Sequence, residues 1–355
     1  MTVSIITPVY KTPAALLVRF LKSVFSQTLT DIELIAVNDA SPDDCPRILD
    51  AAAAEDDRMT VIHRTVNGRA GMARNDGLDA ARGDFILFAD ADDFMRPDMC
   101  KTLATLARTH DADIVACSWA EVAEGGKVIR THRLADRLFD LEVKRDRTHC
   151  SRTLTYALWN KLFRREAIHG LRFEQFEVNI GEDTLFNVAA LCGCRRMITT
   201  THVGYEYTIA SESASHRKAK GLPYLETIAR SQERIRKELE RAYGTEGRMH
   251  ADWLALKRYT TGSEWIAGNP DIAERKKLRK HWHGYLVNEL LPGMTNYLTL
   301  ARFFYLLGLL GNVKGTARLM RMAVRGYDRL LFLPYMMLHR TNQSKQIPVG
   351  GNKNG

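Results

Sequence analysis

The chain has 355 residues, of which 45% are hydrophobic and 26% charged, a composition typical of globular proteins with one large or two medium domains. It contains no run of about 18 apolar residues, so a conventional membrane span is not expected. Its net charge of +9 is uneven, because residues 1–215 hold 26 Lys and Arg against 31 Asp and Glu, whereas residues 216–355 hold 25 against 11. This asymmetry predicts an acidic catalytic unit and a basic region that meets an anionic partner such as a membrane surface.

Four short apolar runs alternate with three helical patterns over the first 90 residues. The predicted strands are residues 3–7, 32–37, 59–63 and 85–88, and the predicted helices begin near Pro13, Pro42 and Met72. This alternation is typical of a doubly wound, mainly parallel α/β sheet. The N-terminal sequence MTVSIITPVYK thus favours a first strand over a secretory leader.

Three carboxylates, Asp90, Asp92 and Asp93, follow the fourth predicted strand within four residues. Open α/β sheets bind ligands at the carboxyl ends of their strands. Carboxylates this close repel one another and need a compensating cation. Mg²⁺ and Mn²⁺ prefer such oxygen ligands and share the rest of their coordination shell with water and substrate phosphates. We therefore expect a divalent metal site here, the alternative being a solvated acidic loop that caps the next helix.

Three further polar sequences follow the acidic loop along the chain. Glu124–Lys127 predicts a hairpin turn, and the pair Glu182-Asp183 precedes a helix that starts at Thr184. A predicted strand, YEYTI, ends in the serine-rich and then basic sequence ASESASHRK, which includes Ser213, Ser215 and His216. We expect the hydroxyl groups and cations of this sequence to meet phosphate.

The C-terminal third is helical in pattern from Leu222 to about residue 340. Residues 303–310 are strongly apolar but too short to span a membrane, and the next helical pattern carries Arg318, Arg321, Arg325 and Arg329. A basic amphipathic helix beside an apolar one indicates binding to a membrane surface, and a homo-oligomer interface is the alternative. We therefore predict a catalytic domain over 1–215, a basic helical region over 216–342 and a disordered tail over 343–355.

Taken in order, the N-terminal motifs resemble the inverting nucleotide-sugar glycosyltransferases of family 2, which have the GT-A fold. The matching sequences are SIITPVYK, FLKSVFSQT, ELIAVNDASPDD, NGRAGMARNDGL, FADADD, WNKLFRRE and GEDTLFN. The resemblance covers roughly residues 1–215. It implies a UDP-linked nucleotide-sugar donor, a glycan or lipid-linked glycan acceptor and a divalent metal (Mn²⁺ or Mg²⁺), with no nucleic acid as partner. It also implies surface polysaccharide synthesis in the cytoplasm, with peripheral attachment to the inner face of the cytoplasmic membrane as an open alternative.

The resemblance also assigns roles to individual residues. Asp183 is the implied general base, and Glu182 is implied to orient it or the acceptor. The implied metal ligands are Asp92 and Asp93, while Trp159, Asn160 and Lys161 are implied to contact the acceptor or the sugar. The implied nucleotide and donor contacts are Pro8, Tyr10, Asp39, Asn67, Arg74 and Asp90.

One departure concerns the strand before the serine-rich sequence, where the family often has a basic residue. This chain has Thr208 and Ala210 there instead, so the diphosphate cation is expected from His216, Arg217 or Lys218. A nucleotidyltransferase is less consistent with the sequence, because the loop after the first strand contains no glycine. A catalytically inactive, transferase-like scaffold is the other alternative.

Overall fold

The computed structural model describes residues 2–143, 146–147, 150, 157–176, 181–209, 221–267, 269, 271–286 and 288. The chain divides into two compact units, with the boundary between His216 and Arg217. Among the helices in the described ranges, none is both long and apolar enough to cross a membrane.

The first unit is an α/β domain built on a single mixed sheet. Its strands are β1 Val3–Val9, β2 Ile32–Asn38, β3 Met59–His63, β4 Phe85–Phe88, β5 Phe94–Met95, β6 Ile114–Ala123, β7 Val128–His132, β8 Arg137–Asp140, β9 Lys161–Arg164 and β10 Arg196–Ile209. Its helices are α1 Ala14–Phe25, α2 Cys45–Glu55, α3 Arg69–Ala80, α4 Met99–Thr109 and α5 Glu182–Gly193, with a 3₁₀ turn at Glu166–Ile168.

The sheet runs in the order β3-β2-β1-β4-β9-β6-β10-β5, with β7 paired to β6 and β8 paired to β10. Its first four strands are parallel, and β6 is parallel to β10. The pairings of β9, β7, β8 and β5 are antiparallel. The predicted α/β fold with a mostly parallel central sheet is confirmed, and the antiparallel strands extend that sheet.

Strand β4 is buried on both faces, as its uninterrupted apolar sequence predicts. Phe85 and Leu87 belong to one core cluster, whereas Ile86 and Phe88 belong to the other. The first cluster contains side chains from α1, α2 and α4, and the second contains side chains from α3 and α5. Helices therefore cover both faces, which leaves the loops at the carboxyl ends of the strands as the place for polar groups.

Helix α3 lies unusually close to the sheet. A Cβ atom on Gly77 would be 2.3 Å from Cγ2 of Ile6 on β1, a distance that no side chain tolerates. This close approach buries a face of α3 that is partly polar and includes Arg74 and Asn75. The helix thereby carries a guanidinium group into the interior, beside the loop that follows β4.

The second unit is helical in its described part. Helix α6, Leu222–Ala267, is interrupted at Gly244, where φ is +59° and the backbone is not helical. Helix α7, Ile272–Tyr285, is capped by Asp271, whose side chain accepts hydrogen bonds from the backbone N–H groups of Ala273 and Glu274. The predicted apolar and arginine-bearing sequences beyond residue 302, and the predicted disordered tail, lie outside the described residues.

Candidate active site

The loop after β4 holds the three predicted carboxylates in different surroundings. Asp90 and Asp92 are half-buried, whereas Asp93 is completely buried. Burial raises the pKa of Asp92 to about 6, and the nearby negative charge of Asp90 adds to this effect. A cation bound at this loop would offset both effects, because it would stabilise the charged form of Asp92.

Asp93 ties the loop to strand β10. Its Oδ2 accepts a hydrogen bond of 2.8 Å from the Tyr205 hydroxyl, and its Oδ1 accepts one of 2.7 Å from the backbone N–H of Thr208. The Tyr205 oxygen in turn accepts a bond of 3.0 Å from the backbone N–H of Asp90. Burial, together with the charges of Asp92 and Asp90, raises the pKa of Asp93 well above its ordinary value. These contacts support a positioning role for Asp93, and its role as a metal ligand stays a prediction.

Arg74 binds both Asp90, the predicted donor contact, and Asp183, the predicted general base. Its Nη2 donates to Oδ1 of Asp90 at 3.0 Å and its Nη1 donates to Oδ1 of Asp183 at 2.7 Å. The guanidinium group is buried, and these two carboxylates raise the pKa of Arg74 against the opposing effect of burial. A buried charge held by two acidic partners fixes the relative position of loop and helix.

Helix α5 presents Glu182 and Asp183 in its first turn, next to Arg74. The preceding residue, Gly181, has a φ of +90°, a conformation that favours glycine, and this sharp turn starts the helix. Asp183 is 35% exposed, so its carboxylate is accessible from solvent while it is ion-paired. Burial raises the pKa of Glu182 to about 7, with a further contribution from the charge of Asp183.

An aromatic cluster packs next to Arg74 and the start of helix α5. Phe173 stacks on Phe186 of α5 with ring centroids 4.3 Å apart, and Phe88 at the end of β4 packs edge-on against both rings at 5.4 Å. The Arg74 guanidinium lies 5.5 Å from the Phe173 ring centroid. The cluster therefore connects the end of β4, helix α5 and Arg74 through rigid side chains.

The predicted nucleotide residues lie at the ends of β1 and β2 and in the loop after β3. Asp39 is buried, and its Oδ1 accepts hydrogen bonds from the backbone N–H of Gly68 at 2.8 Å and from Arg64 at 3.1 Å. Asn67 donates to the Asp39 carbonyl oxygen at 3.0 Å. Pro8 is half-buried in β1, whereas the Tyr10 ring just beyond it is 45% exposed.

The backbone is strained around these nucleotide residues. Three residues other than glycine have positive φ there: Lys11 at 51°, Ala40 at 57° and Arg69 at 69°. Each follows the carboxyl end of β1, β2 or β3. Strain of this kind tends to collect at functional sites, where the surrounding structure holds it in place.

The tripeptide Trp159-Asn160-Lys161 is directed mainly into the fold. Asn160 is 0% exposed and donates to the Cys117 carbonyl oxygen at 2.9 Å, and Lys161 is 2% exposed and donates to Asn160 Oδ1 at 3.0 Å. Burial lowers the pKa of Lys161 to about 7. The prediction that Asn160 and Lys161 reach acceptor hydroxyl groups finds no support in this arrangement, because both polar groups are buried and bonded internally.

Trp159 itself stacks on Tyr205, with ring centroids 4.7 Å apart, and on Tyr207, with centroids 5.6 Å apart. It is half-buried, so a contact with a sugar stays a prediction. The remaining predicted phosphate contacts, Ser213, Ser215 and His216, lie outside the described residues.

The described residues offer few protein ligands at the predicted metal site. Within the described residues, no three His, Cys, Asp or Glu side chains converge as a metal cage. Magnesium and manganese seldom need one, since substrate phosphates and water complete their coordination. The half-buried Asp92, whose pKa is raised by burial and by the charge of Asp90, therefore fits a cation that is shared with a diphosphate.

Comparison with known proteins places this chain in a family. The sequence model "Glycosyl transferase family 2" matches residues 4–172. The "Putative glycosyltransferase EpsH" of Bacillus subtilis is 34% identical over an alignment of 258 positions that covers 67% of this chain and 73% of that protein. The chain belongs to glycosyltransferase family 2.

Two further proteins resemble this glycosyltransferase. The "Succinoglycan biosynthesis protein ExoW" of Rhizobium meliloti is 38% identical over 125 residues, 34% of this chain and 38% of ExoW. The crystal structure of S. aureus TarS 1–349 in complex with UDP-GlcNAc superposes with a TM-score of 0.59 at 18% identity, covering 87% of this chain and 90% of that one. At this identity the likeness to TarS shows the shared fold alone.

The glycosyltransferase site also contains residues that the sequence did not reveal. Tyr205 and Thr208 hold Asp93, and Arg64 holds Asp39 while its Nε pairs with Asp76 at 3.1 Å. The alternating pattern of YEYTI indicates that Tyr205 and Tyr207 share one face of the strand. It does not indicate that this strand lies beside the loop after β4.

Proposed function

We propose that this protein is an inverting glycosyltransferase that moves a sugar from a UDP-linked donor to a hydroxyl group of a glycan or lipid-linked glycan. The single observation that carries the proposal is the Arg74 bridge, which holds Asp90 and Asp183 at one guanidinium group. A donor-side carboxylate and a solvent-accessible base are thereby adjacent. The similarity to ExoW, a succinoglycan biosynthesis protein, supports polysaccharide synthesis as the setting, and the TarS complex supports UDP-GlcNAc as a relevant donor type.

The donor nucleotide would occupy the loops after β1, β2 and β3. The exposed Tyr10 ring offers a surface on which a base stacks. Both hydrogen bonds to the Asp39 carboxylate end on Oδ1, so Oδ2 is the oxygen that would accept the imide proton of uracil. Asn67 fixes the backbone at Asp39 and so helps to orient that carboxylate.

The diphosphate would lie against the loop that contains Asp90 and Asp92. A divalent cation held there by Asp92 would neutralise the charge that develops on the leaving nucleoside diphosphate. Asp93 keeps the loop in position through Tyr205 and Thr208. Asp90, whose Oδ1 is bonded to Arg74, would meet the ribose or the donor sugar.

Asp183 is the proposed general base. An acceptor hydroxyl is a poor nucleophile until a base takes its proton during attack. Asp183 is exposed enough to reach a hydroxyl, and its ion pair with Arg74 holds the carboxylate in place. Glu182 has a buried Oε2, and burial raises its pKa to about 7, so it is a weaker candidate for the base and is proposed to orient the acceptor or Asp183. With one base and no protein nucleophile, displacement at the anomeric carbon would invert its configuration.

The experiment that tests this proposal replaces Asp183 with Asn. The amide keeps the shape of the side chain and can still accept a hydrogen bond from Arg74, but it cannot take a proton. We expect donor binding to stay unchanged and transfer to fall by at least about 100-fold, the lower end for general-base catalysis. Asp79→Asn is the control, because Asp79 forms an exposed ion pair with Arg172.

Transfer would be followed by release of UDP, and the anomeric configuration of the product would be assigned by NMR. An α-linked donor is expected to give a β-linked product. A product with retained configuration, or an Asp183→Asn variant with full turnover, would remove Asp183 from the proposed role.

A further inference from the structure

Arg19, on helix α1, reaches across the domain to strand β10. Its Nη2 donates a hydrogen bond of 2.5 Å to the Thr208 hydroxyl, and its Nη1 donates one of 3.3 Å to the Glu124 carbonyl oxygen. Arg19 and Thr208 are 189 positions apart in the chain. The half-buried Arg19 side chain is therefore held by two neutral oxygen atoms.

Arg19 has no acidic partner in the part of the chain that the structure describes. Its Nε is buried there without a hydrogen-bond acceptor, as is the Nε of Arg74, but Arg74 also has two carboxylate partners. Arg58 and Arg64 each pair with at least one carboxylate as well. A half-buried guanidinium without an anionic partner is partly desolvated, and no ion pair offsets that cost. An anionic ligand that binds Arg19 would offset it.

The position of Arg19 shows where that anion would be. Thr208, which accepts from Arg19, also donates its backbone N–H to Oδ1 of Asp93. Arg19 is thus joined through Thr208 to Asp93 of the acidic loop, whereas Arg74 binds Asp90 of the same loop.

We propose that Arg19 binds the diphosphate of the nucleotide-sugar donor beside the Asp93 end of the acidic loop. This inference rests on the proposed function. The resemblance predicts a cation after β10, from residues 216–218, because Thr208 stands where a basic residue is common. Arg19 brings a guanidinium group to Thr208 from helix α1, and its flat fork of N–H donors matches phosphate oxygens.

The test measures binding of UDP and of uridine by isothermal titration calorimetry, with Mn²⁺ and separately with a chelator. The variants are Arg19→Gln and Arg19→Lys, and the control is Lys22→Gln, which removes one positive charge from an exposed position on the same helix. Arg19→Gln is expected to weaken UDP binding about 10- to 100-fold, the range for one hydrogen bond to a charged group, and to leave uridine binding unchanged. Arg19→Lys should lie between wild type and Gln, and Lys22→Gln should match wild type.

Three outcomes would overturn the inference in distinguishable ways. If Arg19→Gln binds UDP as wild type does, Arg19 does not contact the diphosphate. If Arg19→Gln and Arg19→Lys weaken uridine and UDP equally, Arg19 only supports the fold around Thr208. If wild-type protein binds neither UDP nor GDP nor dTDP, the proposed function fails and this inference fails with it.

Discussion

Replacing Glu182 with Gln tests the electrostatics of the site without any substrate. Glu182 is largely buried beside Asp183, its pKa is raised to about 7, and its Oε2 is a buried oxygen without a hydrogen-bond partner among the described residues. The folded protein therefore holds the Glu182 proton more tightly than the unfolded chain does. The Gln side chain resembles the protonated form and carries no charge at any pH.

The pH range in which Glu182 lowers the free energy of unfolding follows from its pKa in the folded and in the unfolded chain. Below pH 4.5 the residue is protonated in both states, so Glu182 does not lower the free energy of unfolding. Between pH 4.5 and about 7 the unfolded chain releases the proton first, and the free energy of unfolding falls as pH rises. A pKa raised from 4.5 to about 7 corresponds to a cost of at most about 3 kcal/mol, which is fully present above pH 7.

Glu182→Gln should therefore stabilise the protein at pH 8 and have little effect at pH 4.5. For a domain of this size 1 kcal/mol shifts Tm by about 2–4 °C, so the expected gain at pH 8 is several degrees and at most about 12 °C. Thermal unfolding would be followed by circular dichroism from pH 4.5 to 8 in a chelator, so that no cation occupies the acidic loop. Glu166→Gln, at an exposed position, is the charge-matched control. An equal Tm for wild type and Glu182→Gln at pH 8, or a gain that is largest at pH 4.5, would refute the reasoning.

Two further predictions concern the metal and the C-terminal region. Asp92→Ala should abolish transfer and the Mn²⁺-dependent part of UDP binding measured by calorimetry, because a hard divalent ion loses its main protein ligand; full activity of this variant in chelator would contradict the metal assignment. The full-length protein should bind anionic vesicles in a salt-sensitive manner, and truncation at about residue 295 should weaken that binding while donor hydrolysis is largely kept, since each cation near anionic lipid contributes about 1 kcal/mol. If the full-length protein ignores such vesicles at low salt in a sedimentation assay, the C-terminal sequence is better explained as an oligomer interface.

Many of the strands of the first unit can be predicted from local sequence patterns. The runs at residues 3–7, 32–37, 59–63 and 85–88 all form parallel strands, because an apolar run bounded by turn residues indicates a buried strand wherever it occurs. The later strands were harder to predict. Strand β9, Lys161–Arg164, is only four residues long and has a basic residue at each end. Strand β10 begins at Arg196, nine residues before the predicted start at Tyr205. Their pairing with distant strands gives them their conformation.

The sequence by itself determined the fold class, the family resemblance and the carboxylates at the ends of the strands, since each of these depends on residues that are close in the chain. It did not distinguish Asp92 from its neighbour Asp93. That difference comes from Tyr205 and Thr208, more than 100 positions away, which bind Asp93 and leave Asp92 half-buried. Long-range packing of the same kind lets Arg74 join Asp90 to Asp183. Only the tertiary structure decides such contacts, because burial and hydrogen-bond partners depend on which elements meet in space and not on the spacing of residues along the chain.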